Sequence, residues 1–300
     1  MKRYILLMLA VCCLLPSSAQ QSIREISKDP LCLLTPDSAQ KTKQLVILQT
    51  SDTHSRIEPI AVNAADRYAG MGGTVRRATF IKEARKVNPD ISQGTPYYNL
   101  FQGEVEVKMM NLMGYDAMTI GNHEFDFGLE NMARLFRMAN FPVVCANYDV
   151  TGTVLEGLVK PYTTFSRNGL KIGVFGLAPK MEGLVQADKC EGVVYNDPIE
   201  VAQKTTDLLK NQEGCDVVIC LSHLGYQLKG APCDEELAQK TNNIDAILGG
   251  HTHTFMKEPA IYLNKDGKNV PVMHTGKSGI YVGMLKLTLT EEEEAQPSSK

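Results

Sequence analysis

Short apolar runs alternate with amphipathic stretches along most of the chain, and that alternation limits the architecture more than any other feature. Leu45–Gln49, Ala117–Ile120, Pro142–Ala146, Ile172–Gly176, Val217–Leu221 and Ala246–Leu248 read as buried strands. Between them Val75–Lys86, Glu104–Met113, Leu129–Met138 and Pro198–Asn211 carry helical patterns. The last follows Asp197, an N-cap residue, and places proline at the first helical position. Strands alternating with helices imply a layered α/β domain. Tyr281–Leu289 alternates like a closing strand. With no internal repeat and no second block of composition, residues 45–289 are expected to form one domain. It follows an N-terminal extension at 20–44 and precedes an acidic, polar tail at 290–300.

The first residues stand outside that pattern. Lys2 and Arg3 precede an apolar run, Tyr4–Leu15, which is closed by Pro16, Ser17, Ser18 and Ala19. These are the three regions of a signal peptide, residues 1–19, cut after Ala19. Its apolar run of about 12 residues is short of the roughly 20 that span a bilayer as a helix. The chain is therefore expected to be exported, periplasmic or secreted, with no transmembrane span. Cys12 and Cys13 lie inside the apolar run rather than at its end, which disfavours a lipoprotein.

Removing the leader leaves Cys32, Cys145, Cys190, Cys215, Cys220 and Cys233. An oxidising compartment permits pairing. The spacing contains no C-x-x-C, however, and a chain of this size folds without staples, so small buried hydrophobes are the favoured reading. A net charge of −3 offers no basic stripe for a phosphate backbone. No tryptophan and 7% aromatics offer no stacking platform for single strands. Nucleic acid is not an expected partner.

Chemistry concentrates in the histidines. Five of the six, His54, His123, His223, His251 and His253, follow predicted strands directly or within a few residues. Ligands of α/β sheets gather at the carboxyl ends of strands, where loops vary over a rigid scaffold. One histidine so placed is usually a packed residue; five suggest a metal site. Oxygen and amide partners accompany them. Asp52-Thr-His54 sets two ligand types two residues apart, and Gly121-Asn-His-Glu-Phe-Asp126 supplies an amide, an imidazole and two carboxylates. Ser222-His223 follows an apolar run, and Gly249-Gly-His-Thr-His253 delivers two imidazoles beside glycines that admit close backbone approach. His274, in Val272-Met-His-Thr275, reads instead as an ordinary strand residue. Asp126 and Glu124 also have a simpler reading, as caps for the helix starting near Gly128.

These blocks, in this order, resemble the calcineurin-like metallophosphoesterases, and within them the catalytic domain of bacterial 5′-nucleotidases and UDP-sugar hydrolases. Ser51–Ser55, Gln93–Tyr98, Gly121–Asp126 and Gly249–His253 carry the likeness, which extends from about Leu45 to Leu289. It implies an α/β/β/α fold with mixed sheets. It also implies two divalent cations (zinc, manganese, iron or cobalt), one held by Asp52, His54 and His253 and the other by Asn122, His223 and His251. Asp90 would bridge them, with a hydroxide between. His123 would stabilise the transferring phosphoryl group or protonate the leaving oxygen, oriented by Asp126. The implied activity is hydrolysis of phosphate monoesters, 5′-nucleotides foremost. Alternatives are a cyclic-nucleotide or UDP-sugar phosphodiesterase, and a catalytically impaired remnant that binds metal or a partner.

The sequence departs from that family in two respects. Where an apolar strand ending in Gly-Asp normally precedes the Gln-Gly-Thr block, this chain has Val87-Asn-Pro-Asp-Ile-Ser-Gln-Gly94. Asp90 has the right offset, but the strand before it is missing. An average strand covers about 17–20 Å, whereas the four residues Val87–Asp90 stretch to about 13–14 Å. Asp90 reaches a metal centre only if the end of the preceding helix unwinds. The family's full-length nucleotidases also carry a second, substrate-binding domain; here either a separate chain supplies it or the substrate is recognised mainly through its phosphate.

Overall fold

The computed structural model describes residues 3–6, 42–52, 54, 56–87 and 102–291. Among them, fourteen strands and five α-helices follow in chain order: β1 (Arg3–Leu6), β2 (Thr42–Gln49), α1 (Thr74–Val87), α2 (Glu104–Met113), β3 (Met118–Thr119), α3 (Gly128–Met138), β4 (Val143–Val144), β5 (Tyr148–Asp149), β6 (Val159–Lys160), β7 (Tyr162–Arg167), β8 (Leu170–Leu177), β9 (Val194–Tyr195), α4 (Pro198–Asn211), β10 (Val217–Ser222), α5 (Asp234–Lys240), β11 (Ala246–Gly249), β12 (Ala260–Leu263), β13 (Asn269–His274) and β14 (Gly283–Glu291).

Two sheets face each other across the main core. One is six-stranded, in the order β12-β13-β11-β10-β8-β7, and its four inner strands run parallel. The other contains β1, β14 and β2, all antiparallel. Strand parity assigns the side chains. Ile172 and Val174, Val217 and Ile219, and Ala246 and Leu248 point inward to meet Leu45, Ile47, Leu285 and Leu287. The alternate residues Phe175, Val218, Cys220 and Ile247 face outward, under Ala202 and Leu209 of α4 and Leu237 and Ala238 of α5. Burial on both faces is why these strands read as unbroken apolar runs rather than as alternation. On the far side, Ile81 of α1 and Met110 and Met113 of α2 cover Leu48 of β2. Helix, sheet, sheet and helix stack as expected. A parallel sheet of β3, β4 and β6 extends the structure beside α3.

Several boundaries differ from the sequence reading. β2 opens at Thr42 and β14 runs on to Glu291, so the ordered strands reach past both expected limits, 45 and 289. Their backbones pair with each other over that added length, Thr42 opposite Thr290. Arg3–Leu6, inside the leader-like segment, lie as a short strand on β14. The α4 expectation holds in detail: Asp197 Oδ1 accepts the N–H groups of Ile199 and Glu200, both at 2.9 Å. Helix α3 begins without a side-chain cap, so neither Glu124 nor Asp126 serves as one. Cys145, Cys215, Cys220 and Cys233 are buried and unpaired, and Cys190 is partly buried and unpaired; Cys32 lies outside the described residues. No helix among the described residues is long and apolar enough to cross a membrane. Asp90 and the Gln93–Tyr98 block also lie outside the described residues. Among those described, β2 is paired on one side only, by β14.

Candidate metal centre

Each predicted ligand among the described residues emerges just past a strand end. β2 leads into Asp52 and His54, β3 into Asn122 and His123, β10 into His223, and β11 into His251 and His253. The structure brings these side chains together. One ligand atom from each of Asp52, His54 and His253 falls within 4.8 Å of the other two. Asp52 Oδ1 is 3.7 Å from the Nε2 atoms of both His223 and His253 and 4.0 Å from that of His54. His251 Nδ1 lies 3.1 Å from Asn122 Oδ1, and the His223 and His251 ring centres are 5.2 Å apart. His123 stands at the exposed rim, its ring centre 5.4 Å from that of His54 and its Nδ1 3.1 Å from Asp126 Oδ2.

The backbone is bent to achieve this. Asp52, His54, His251 and His253 all have positive φ, at 45°, 42°, 76° and 53°. Such conformations are uncommon for residues with a Cβ and cost of order 1–3 kcal/mol each, so they persist where surrounding structure or function demands them. Gly250 is required for a different reason: a Cβ there would stand 2.9 Å from Asp52 Oδ2 and 3.0 Å from His223 Nδ1.

Burial dominates the electrostatics of these side chains. Burial raises Asp52 to about 6, although the His251 N–H hydrogen bond acts in the opposite direction. Burial lowers His54 to about 4, assisted by His253, His123 and the Lys277 ammonium. His223 falls well below its ordinary value, again chiefly through burial, with His251 next. His251 and His253 are lowered for the same leading reason. Neutral imidazoles, a buried carboxylate and an amide oxygen form the mixed N/O donor set of a borderline divalent cation. His54 Nε2 and His253 Nε2 lie 2.6 Å apart, a hydrogen bond whose direction depends on the tautomer, and both nitrogens face Asp52 Oδ1. The residues therefore fit a divalent metal.

The sequence profile of the calcineurin-like phosphoesterases matches residues 45–255. The chain belongs to that family.

Its relatives include the 5′-nucleotidase of Rattus norvegicus, 31% identical over 280 residues, which make up 84% of this chain and 47% of that protein. A snake venom 5′-nucleotidase from Gloydius brevicauda is 32% identical over 286 residues, 85% of this chain and 47% of that protein. Among solved structures, a 5′-nucleotidase precursor from Thermus thermophilus superposes with a TM-score of 0.72 at 29% identity, covering 81% of this chain and 51% of that one. The Haemophilus influenzae NAD nucleotidase NadN gives 0.70 at 29% identity, covering 83% and 48%. The chain thus spans about half the length of the curated relatives it matches.

Three features of the site were not legible beforehand. Lys277 places a positive charge close enough to depress both His54 and His253, yet it sits in no motif block. Glu124 Oε2 accepts the Gly121 N–H at 2.6 Å and closes the turn that presents Asn122 and His123. A buried polar group formed by Ser222, Asp234 and His274 lies behind the imidazoles. The glutamate and Ser222 stand inside recognised blocks, whereas Lys277, Asp234 and His274 stand in none.

Proposed function

We propose that the chain hydrolyses phosphate monoesters, 5′-nucleotides foremost, using two divalent cations (zinc, manganese, iron or cobalt). Asp52, His54 and His253 would hold one cation, and Asn122, His223 and His251 the other, with Asp90 joining them. When bound, such a pair clamps phosphoryl oxygens, acidifies water and neutralises charge during in-line displacement. The protein's own contribution begins with His123. The carboxylate of Asp126 takes the Nδ1 side of its ring, which leaves Nε2 at the open rim to hydrogen-bond the phosphoryl group or protonate the departing oxygen. Lys277 adds positive charge that attracts an anionic ester. Asp52 fixes the loop carrying His251 and His253 by accepting the His251 N–H.

The convergence of Asp52, His54 and His253 within one ligand sphere supports this reading. Its test is turnover of AMP and p-nitrophenyl phosphate by EDTA-stripped protein, with and without added Mn(II), Zn(II) or Co(II). Metal-dependent turnover supports the reading, and turnover indifferent to metal ends it. A cyclic nucleotide, a UDP-sugar and bis-p-nitrophenyl phosphate, assayed in parallel, separate diesterase from monoesterase activity.

The absence of an apolar run before Asp90 in the sequence supports a second reading, a catalytically impaired domain that binds metal or a partner. Calorimetric titration distinguishes the two: a pair of tight sites, one lost in Asp90→Ala, supports the full centre. The leader pattern at residues 1–19 supports export to the periplasm or the exterior.

A further inference from the structure

One row of the six-stranded sheet runs beneath the metal-site loops. Ser222 on β10 pairs with Gly249 on β11, and Gly249 pairs with His274 on β13. With neighbouring strands about 4.8 Å apart, the serine and histidine backbones stand roughly 10 Å from each other. A single side chain spans the interval. Asp234, the first residue of α5, accepts the Ser222 hydroxyl at Oδ1 and lies 2.7 Å from His274 Nε2 at Oδ2. All three are buried, Asp234 and His274 at 0% exposure.

Gly249 makes room for this arrangement. A Cβ at that position would fall 2.0 Å from His274 Nε2 and 2.1 Å from Asp234 Oδ2. The carboxylate and imidazole therefore pack directly on the glycine backbone, two residues before His251. Gln49 Nε2 donates to the Gly249 carbonyl at 2.9 Å and holds the same residue from β2.

At the other end the connection passes to His223. The Ser222 hydroxyl donates to Asp234 and accepts the Leu224 N–H at 3.1 Å, bridging over His223. The His223 N–H itself donates to the Leu177 carbonyl at 2.8 Å. The backbone is thus fixed before, at and after that histidine. Asp234 is in turn anchored by its own N–H, which donates to Gly225 O at 2.8 Å.

We propose that Ser222, Asp234 and His274 are positioning residues that cross-tie three strand ends and so set the direction of His223 and its spacing from His251 toward a shared divalent cation. The inference rests on the metal-site reading above. It assigns a task to His274, which sequence alone presents as an ordinary strand residue. Burying a carboxylate, an imidazole and a hydroxyl in an otherwise apolar layer is costly unless all are matched, whereas apolar residues would fill the same volume without that demand. Partners set behind metal ligands typically alter metal affinity 10–100-fold when removed.

The test is Co(II) titration of EDTA-stripped protein, followed by calorimetry and visible absorption, for the parent chain and for Ser222→Ala, Asp234→Asn, His274→Leu and His274→Gln. Thermal unfolding is measured on the metal-free forms. Asp234→Asn and His274→Leu are expected to weaken one of two Co(II) sites at least tenfold and to shift its absorption band, leaving the other site unchanged. Ser222→Ala shifts the same band less, and His274→Gln, which keeps a donor for Asp234, restores affinity to within about threefold of the parent. Unchanged bands and affinities overturn the proposal, even if melting temperatures fall, because the group would then serve packing alone. Should the larger changes unfold the protein, Ser222→Ala decides, since it removes only a hydroxyl. A parent chain that binds no Co(II) pair defeats the metal-site reading itself, a result distinct from variants that leave intact binding unaltered.

Discussion

Asp52 and His251, 199 residues apart in sequence, meet through one backbone N–H that both carboxylate oxygens accept, at 3.1 and 2.9 Å. That hydrogen bond orients the carboxylate but does not neutralise it. Burial still raises the group from 3.8 to about 6, so in the metal-free protein the folded state holds a proton more tightly than the unfolded chain. Its contribution to stability is complete below about pH 4 and is lost as pH rises through about 6. Roughly two pKa units correspond to about 3 kcal/mol. Metal-free Asp52→Asn should match the parent near pH 4 and exceed it by up to about 3 kcal/mol at pH 7.5. Urea denaturation at several pH values measures the gap; a gap that does not widen with pH rules this out.

Metal should reverse that penalty. A cation binding only the folded state at one hundred times its dissociation constant adds about 2.7 kcal/mol. Treatment with EDTA is expected to lower the melting temperature of the parent chain, and readdition of Mn(II) to restore it. The same treatment should leave Asp52→Asn almost unmoved. Differential scanning fluorimetry with and without chelator makes the comparison.

Protons compete with metal at the same ligands. His54 is held near 4 and Asp52 near 6, so Asp52 is the first of the two to be protonated as pH falls. Co(II) affinity should drop about tenfold between pH 6 and pH 5 and steepen as pH approaches 4. Titrations at fixed ionic strength test this; a loss beginning above pH 7 would point to a different titrating ligand.

His123→Ala should separate turnover from metal binding. Its ring stands at the exposed rim with Asp126 on its inner nitrogen, outside the triad of Asp52, His54 and His253. Loss of a general acid typically costs about 10²–10⁴ in rate. We expect kcat on AMP to fall by that range with bound metal unchanged, and Asp126→Asn to cost about tenfold. Metal analysis beside steady-state kinetics provides both readouts.

Recognition by the metallophosphoesterase domain alone should rest on the phosphate. The 300-residue chain is expected to process AMP and p-nitrophenyl phosphate with kcat/KM values within about tenfold, a difference of about 1.4 kcal/mol in transition-state binding. Selectivity beyond a hundredfold for AMP would show that this chain reads the nucleoside itself.

The fold was largely readable because the inner strands β8, β10 and β11 of the main sheet bury both faces, which leaves each an unbroken apolar run. The ligand blocks were readable because each sits directly beyond such a run. Two-residue strands such as β5 and β9 carry no pattern long enough to detect. Helix α5, seven residues long, shows too little periodicity to stand out, and Asp234 was missed with it. His274 looked like strand filling because its partner comes 40 residues earlier on an unrecognised helix. Positive φ at four ligands is equally invisible in a one-dimensional text. Asp90 lies outside the described residues, so the expected gap before it stays an inference from spacing.

A centre that joins residues 52 and 54 to residues 251 and 253 cannot be assembled in stages. The ribosome must have released nearly the whole domain before Asp52 can meet its distant partners, and such long-range closure comes late and slowly. If the chain is exported unfolded, it reaches its destination with these ligands still scattered. Its cations would then come from whatever that compartment supplies, so growth conditions, more than intrinsic preference, would determine which metal the purified protein carries.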